Sequence, residues 1–255
     1  MNKTWLRIVL LALTVGAVLS GTAPANAGNF VVDPVVAVLT PRAPSTLLMM
    51  SNTGTGPLRF QLSSTEWSQG PEGQIILAPT DDMIFFPQLF ALDAGVKRKI
   101  RVGMVTPAGE VEKSYRLLVA QLPTPTSERP ANSGIELVTR LSIPVFVEPA
   151  VIRKGGALAS VGATGRNVSF QVTNDGNVHL VVEKATVTGL NGAGTPVFTR
   201  AAKGWYVLAG QSSNFNLELT ADECAKAPTI EVAIKTDSKT FGQRVAGTPG
   251  SCMVR

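Results

Sequence analysis

Apolar residues recur at every second position in short segments along this 255-residue chain. Thr46, Leu48 and Met50 form one such row, followed by Leu58, Phe60 and Leu62, by Ile100, Val102 and Met104, and by Leu117 with Val119. The pattern resumes at Val168, Phe170 and Val172, at Phe215, Leu217 and Leu219, and at Ile230, Val232 and Ile234. A period of two is the repeat of a strand with one buried face. Between the segments lie "NTGTGP", "QGPEG", "LDAG", "NDGN" and "LNGAG". No stretch sustains helical periodicity. Short strands punctuated by Gly and Pro predict an all-β chain built of immunoglobulin-like sandwiches.

The longest segment, "GIELVTRLSIPVFVEP" (134–149), alternates through Ile135, Leu137, Thr139, Leu141, Ile143 and Val145. Roughly ten residues exceed the usual strand of about five or six. Pro144 lacks a ladder donor, which places the segment at a sheet edge. A long apolar edge invites pairing with another chain, and proteins usually blunt it. Alternation alone does not set which face is free, so Val138 and Val145 fit either side.

The first 27 residues read as an export signal. Lys3 and Arg7 precede the apolar run Ile8–Ser20, and Ala25–Ala27 ends in a small-residue cleavage pattern. The run is shorter than the roughly twenty residues a spanning helix needs. Cleavage leaves 228 residues, enough for two sandwiches of about one hundred each. The boundary is expected at Pro149, giving domains over 28–149 and 150–255. "LPTPTSERPANSG" (122–134) reads as a mobile loop just before the long strand.

Charge and cysteine content narrow the function. The leader takes two of 23 basic residues, leaving 21 against 18 acidic ones. That weak excess, without a basic run, excludes a nucleic-acid groove. Cys224 and Cys252 are an even pair in an exported chain, so a structural disulfide is expected. It would close a loop of about 28 residues and contribute around 3 kcal/mol.

Catalytic patterns are missing. The single histidine, His179, sits beside a turn, where a surface or edge role is the expectation. No Gly-x-Ser-x-Gly elbow or metal-spaced His/Cys cluster is present. Asp81 and Asp82 read as a solvated turn, and Glu66 and Glu112 have no partner across a cleft. Met49, Met50, Met83 and Met104 suit core packing or an adaptable lining. Trp67 and Trp205 sit in core-like settings. No enzyme, cofactor or metal is expected.

Several stretches in order resemble the periplasmic pilus-assembly chaperones of the chaperone–usher system. "FVVDPVVAVLTP" looks like their opening strand, followed by "MSNTG" (50–54) and Trp67. "FFPQLFALDAGVKRKIRV" (85–102), "EKSYRLLVAQLP" (112–123) and "IPVFVEP" (143–149) are similar to later strands of the first domain. "NDGNVHL" and "GWYVLAGQ" resemble stretches of the second. The resemblance implies two immunoglobulin-like domains set as a boomerang, with a cleft between them. It also implies that the last strand of domain one is lent to an incomplete pilin-like subunit, which passes to an outer-membrane usher. Ile135, Leu137, Thr139, Leu141 and Ile143 would be the donor row, and an unoccupied edge can pair with a second copy.

Two positions depart from the family. Its cleft anchors the client's terminal carboxylate with an Arg and a Lys, and the matching positions here are Val36 and Pro144. Arg42 or Arg140 would substitute if the register shifts. A basic residue before the linking proline is here Glu148; with Glu112 as its partner two acids would meet, bridged by Arg153 or Lys154. An alternative from another class is a secreted structural or adhesive sandwich protein; a carbohydrate-binding module would want more exposed aromatics.

Overall fold

A computed structural model of the chain describes residues 30–125 and 137–252. The leader predicted over 1–27 and Ile135 lie outside these residues, as does much of the predicted loop.

Alternation becomes strand wherever a second sheet covers one face. Ten strands build the first half: β1 (Phe30–Asp33), β2 (Ala37–Leu39), β3 (Ser45–Asn52), β4 (Leu58–Gln69), β5 (Ile75–Pro79), β6 (Met83–Phe86), β7 (Leu89–Leu92), β8 (Lys97–Met104), β9 (Lys113–Leu122) and β10 (Arg140–Val147). They form one sheet in the order β1-β3-β8-β6 and another in the order β2-β10-β9-β4-β5, with β7 also on β4. The predicted opening strand is thus two strands, because the chain crosses from one sheet to the other at Pro34–Val36. Leu48, Met50, Ile100 and Val102 meet Phe60, Leu117, Val119 and Val145 in the core between the sheets. Met83 joins that core and Met104 packs against it, so these methionines serve packing.

The second half holds β11 (Ala157–Thr164), β12 (Asn167–Thr173), β13 (Leu180–Leu190), β14 (Pro196–Lys203), β15 (Tyr206–Val207), β16 (Ser212–Glu218), the short helix α1 (Ala221–Lys226), β17 (Thr229–Thr236) and β18 (Thr240–Ala246). Its sheets run β11-β12-β16 and β14-β13-β17-β18, with β15 on β13. Val168, Phe170 and Val172 face Val187, Val232 and Ile234 across a separate core. Thr220 and Glu223 cap α1 reciprocally. A disulfide joins Cys224 on this helix to Cys252, with Cα atoms 5.7 Å apart.

Candidate functional site

The long strand is an edge for only part of its length. β10 pairs antiparallel with β9 from Arg140 to Val147, while on its other side the parallel partner β2 covers only Val145–Val147. Pro144 marks the change. From Arg140 to Pro144 the ladder facing away from β9 is open among the described residues. Pairing with β9 continues past the strand's start, since Gln121 N–H donates to the Thr139 carbonyl at 2.9 Å.

The alternating row changes environment along the same length. Val147, Val145 and Ile143 point into the first core, Ile143 being 1 % exposed. Leu141 is half-buried against that core. Thr139 is exposed, and Leu137 is 56 % exposed. Ile143 therefore belongs to its own sandwich rather than to a free face, and Leu141 divides between the two. The physical reason is parity: side chains two apart share a face, so a row that lines the core at one end stays on that face where the core ends.

Opposite-parity residues of the same sheet turn toward the second sandwich. Trp67 of β4, Phe146 of β10 and Leu208 are buried together, with Val36 and Tyr206 packed against them. Polar bonds tie this junction. Gln69 Nε2 donates to the Tyr206 carbonyl at 2.8 Å, and Leu208 N–H donates to Gln69 Oε1 at 2.7 Å. Asn177 Nδ2 donates to the carbonyls of Glu110 and Val151, both at 2.8 Å.

His179 lies in this junction, not at the surface. Its ring stacks on Phe146, centroids 3.7 Å apart and planes within 15°. Its Nδ1 donates to the Glu112 carboxylate at 2.9 Å, and its backbone N–H donates to the same group at 3.0 Å. Glu112 thus has the cross-cleft partner the sequence did not reveal. The bridge expected from Arg153 or Lys154 is replaced, and Lys154 instead pairs with Asp237 at 2.9 Å. Sixty-seven residues separate Glu112 from His179, so no local spacing announces the pair.

Arg116 occupies the middle of the junction. In register it lies opposite Pro144 on one side and Thr65 on the other. The residue is 6 % exposed, and its guanidinium carbon sits 3.7 Å from the Trp67 ring centroid and 5.8 Å from that of Trp205. Burial pushes the guanidinium below its usual pKa range. Its Nη2 has no hydrogen-bond partner, and neither has the buried Trp67 Nε1. These two are the buried side-chain polar atoms left unpaired among the described residues, and both are donors. Buried donors without acceptors are costly, about 1–3 kcal/mol each and more when charged. Trp205, expected in a core, is 47 % exposed.

The sequence-predicted anchors lie elsewhere. Arg42 is exposed in the turn between β2 and β3, where Ala43 N–H donates to Thr40. Arg140 is exposed at the start of β10, four residues or about 13 Å along the strand from Pro144. Asp82 is not a free turn carboxylate, since it accepts from Thr106 Oγ1 and the Tyr115 hydroxyl, both at 2.7 Å. No group of three or more His, Cys, Asp or Glu among the described residues is placed to hold a metal ion.

Residues 29–153 match the family model described as "Pili and flagellar-assembly chaperone, PapD N-terminal domain". By this match the first sandwich belongs to the pilus-assembly chaperone family. No curated protein matches it in sequence. Solved chaperone structures share its fold. The CsuC–CsuE chaperone–tip adhesion subunit pre-assembly complex of Acinetobacter baumannii, from archaic chaperone–usher Csu pili, aligns at 19 % identity and TM-score 0.57, over 85 % of this chain and 97 % of that one. The Salmonella enterica SafA pilin in complex with the SafB chaperone aligns at 17 % and 0.55, over 86 % and 98 %. The Escherichia coli chaperone DraB aligns at 16 % and 0.51, over 85 % and 98 %. In this chain Val36 is half-buried in the junction and Pro144 is buried, so neither carries charge into it. The guanidinium charge there comes from Arg116. The sequence held it within "EKSYRLLVAQLP" without marking it, because an arginine on a strand's outward parity reads as an ordinary solvated residue.

Proposed function

We propose that the protein is a non-catalytic periplasmic chaperone. It lends the open end of β10 to an incomplete pilin-like subunit and delivers that subunit to an outer-membrane usher. Export by the leader over 1–27, and division into domains at 28–149 and 150–255, are part of this reading. What carries it is the alternating row of β10, which leaves its own core at Leu141 and continues exposed along a half-open ladder. Backbone bonds to the open ladder are sequence-blind, while Leu137, Thr139 and the exposed part of Leu141 would fill the client's groove, with Ile135 extending the row. Full burial of one large apolar side chain is worth about 1.5–3 kcal/mol, so two or three suffice to hold a subunit.

The client's terminal carboxylate belongs, on this reading, at Arg116. A carboxylate offers acceptors where the guanidinium and the Trp67 indole have unpaired donors, and a carboxylate–guanidinium pair is short, directional and strong. Arg116 stands beside the Pro144 position from the neighbouring strand, which explains how the chain dispenses with charge at Val36 and Pro144.

The test is capture of a pilin-like subunit by the tagged, exported protein, comparing wild type with Leu137→Glu and Arg116→Gln. A glutamate at Leu137 is harmless in solvent but costly in a client groove. Loss of the client from folded Leu137→Glu is expected. Equal capture by that variant would sink the strand-donor reading.

A further inference from the structure

We infer that the outward face of the β1-β3-β8-β6 sheet docks on an anionic phospholipid bilayer, holding the protein at a membrane surface while the open end of β10 stays free.

Register fixes what stands on this face. Residues two apart on a strand share a side, so Lys97, Lys99 and Arg101 of β8 point away from the core that Ile100 and Val102 fill. Across the ladder their neighbours on β3 are Ser51, Met49 and Leu47, and Arg101 also lies opposite Phe86 of β6. Ile84 of β6 and Val31 of β1 extend the apolar part of the face. Phe86 is 74 % exposed and Ile84 59 %, and Val31 and Leu47 are exposed as well. Among the outward residues of these four strands the one carboxylate is Asp33, opposite Met49. None of the three cations forms an ion pair among the described residues, and Arg101 donates instead to Ser45 Oγ at 3.3 Å.

Such a face is unfavourable for the free protein twice over. Like charges spaced about 7 Å along a strand repel one another, and large apolar side chains stand in water. One partner relieves both. At the headgroup boundary of a bilayer, phosphates and hydrocarbon lie side by side, so Lys and Arg reach the phosphates while Phe86, Ile84 and Leu47 enter the acyl margin. Arg101 shows the match at the scale of one residue, with Leu47 on one side and Phe86 on the other. An acidic protein would also neutralise the charge, but protein interfaces are fixed in register by directional hydrogen bonds. The neutral polar side chains on this face are Ser45 and Ser51, and Ser45 is already engaged by Arg101. Charge and hydrocarbon with few directional groups suit a fluid partner. Position agrees. β10, Trp67 and Phe146 belong to the other sheet, across the core, so a bilayer against β8 leaves the open ladder and the junction uncovered.

Vesicle flotation tests this on the exported chain, freed of residues 1–27 so that their apolar run cannot anchor it. The probes are vesicles of phosphatidylcholine alone and of phosphatidylcholine with phosphatidylglycerol in equal parts. Wild type is expected to float with the anionic vesicles and not the neutral ones, and to be released near 1 M salt, where the screening length falls to about 3 Å. Each cation near an anionic surface is worth about fivefold in partitioning, so Lys97→Gln, Lys99→Gln and Arg101→Gln together should weaken binding about a hundredfold. Removing three charges from the second sandwich, Lys184→Gln with Lys203→Gln and Lys239→Gln, should leave it within about threefold, because charges beyond a Debye length are screened. Phe86→Ser, with a denaturation midpoint close to wild type, should weaken it at least about fivefold. Equal losses from the two triple variants would mean that net charge alone draws the chain to lipid, and the proposal falls. It falls equally if wild type ignores the anionic vesicles or if Phe86→Ser binds them as wild type does. Polyglutamate captured by wild type in that case, and not by the β8 triple variant, would assign the face to an acidic protein instead.

Discussion

Tyr115 is fully enclosed in the first core, and its hydroxyl finds its acceptor in Asp82, which also receives the Thr106 hydroxyl. The Thr106 bond, followed by the Tyr115 bond, holds the Asp82 carboxyl below its ordinary value of 3.8. Burial, with help from that same carboxylate, pushes the Tyr115 hydroxyl up. A depressed carboxylate contributes stability that is complete above its unfolded pKa and disappears as pH falls through the lower folded value. Asp82→Asn is therefore expected to lower the denaturation midpoint at pH 7 and to converge with wild type as pH drops below the usual carboxylate value. Denaturant titrations across that window decide the matter. A deficit that stays constant with pH would mean the loss is steric and that the charge on Asp82 contributes nothing.

One strand performs two tasks at the level of secondary structure. The C-terminal end of β10 is clamped between β9 and β2, and its alternate residues are core; the N-terminal end has one ladder partner and exposed side chains. Substitutions should separate the tasks. Ile143→Ala is expected to cost about 2–5 kcal/mol through lost burial and a cavity. Leu137→Glu is expected to change stability by under about 0.5 kcal/mol. Chemical denaturation of both variants checks this, and similar losses from both would show that the exposed end is packed after all. The alternation, and with it the strand and the fold class, was legible in the sequence because period two is written locally. The division of labour was not. Where the row leaves the core depends on β2, which lies about one hundred residues upstream and pairs with only Val145–Val147. The disulfide was legible for a different reason, since two cysteines within one chain have only one pairing open to them. Its removal by Cys224→Ser with Cys252→Ser should lower stability by about 3 kcal/mol, consistent with a closed loop of 28 residues.

At the scale of the whole molecule, the candidate site exists only because two sandwiches meet. Arg116, Trp67 and Phe146 come from one, and His179, Trp205 and Tyr206 from the other; no spacing within a single strand could have announced their assembly. The Glu112–His179 contact is the best measure of how firmly they meet. The Glu112 side chain is 0 % exposed and both its oxygens lie 2.9 Å from His179 Nδ1, while the imidazole stacks on Phe146. Removing either partner leaves a buried polar group unsatisfied, so single changes should each cost about 1–3 kcal/mol. Removing both should cost less than the sum, because the second deletion relieves the orphan left by the first. A double-mutant cycle of Glu112→Gln and His179→Phe, read by denaturation of the full chain, is expected to give a coupling energy of about 1 kcal/mol or more. The phenylalanine preserves stacking on Phe146 and the backbone N–H at 179 still has an acceptor, so the cycle isolates the imidazole–carboxylate bond. If the two changes prove additive within about 0.5 kcal/mol, the contact is an incidental neighbour and the sandwiches are held by Trp67, Phe146 and Leu208 alone.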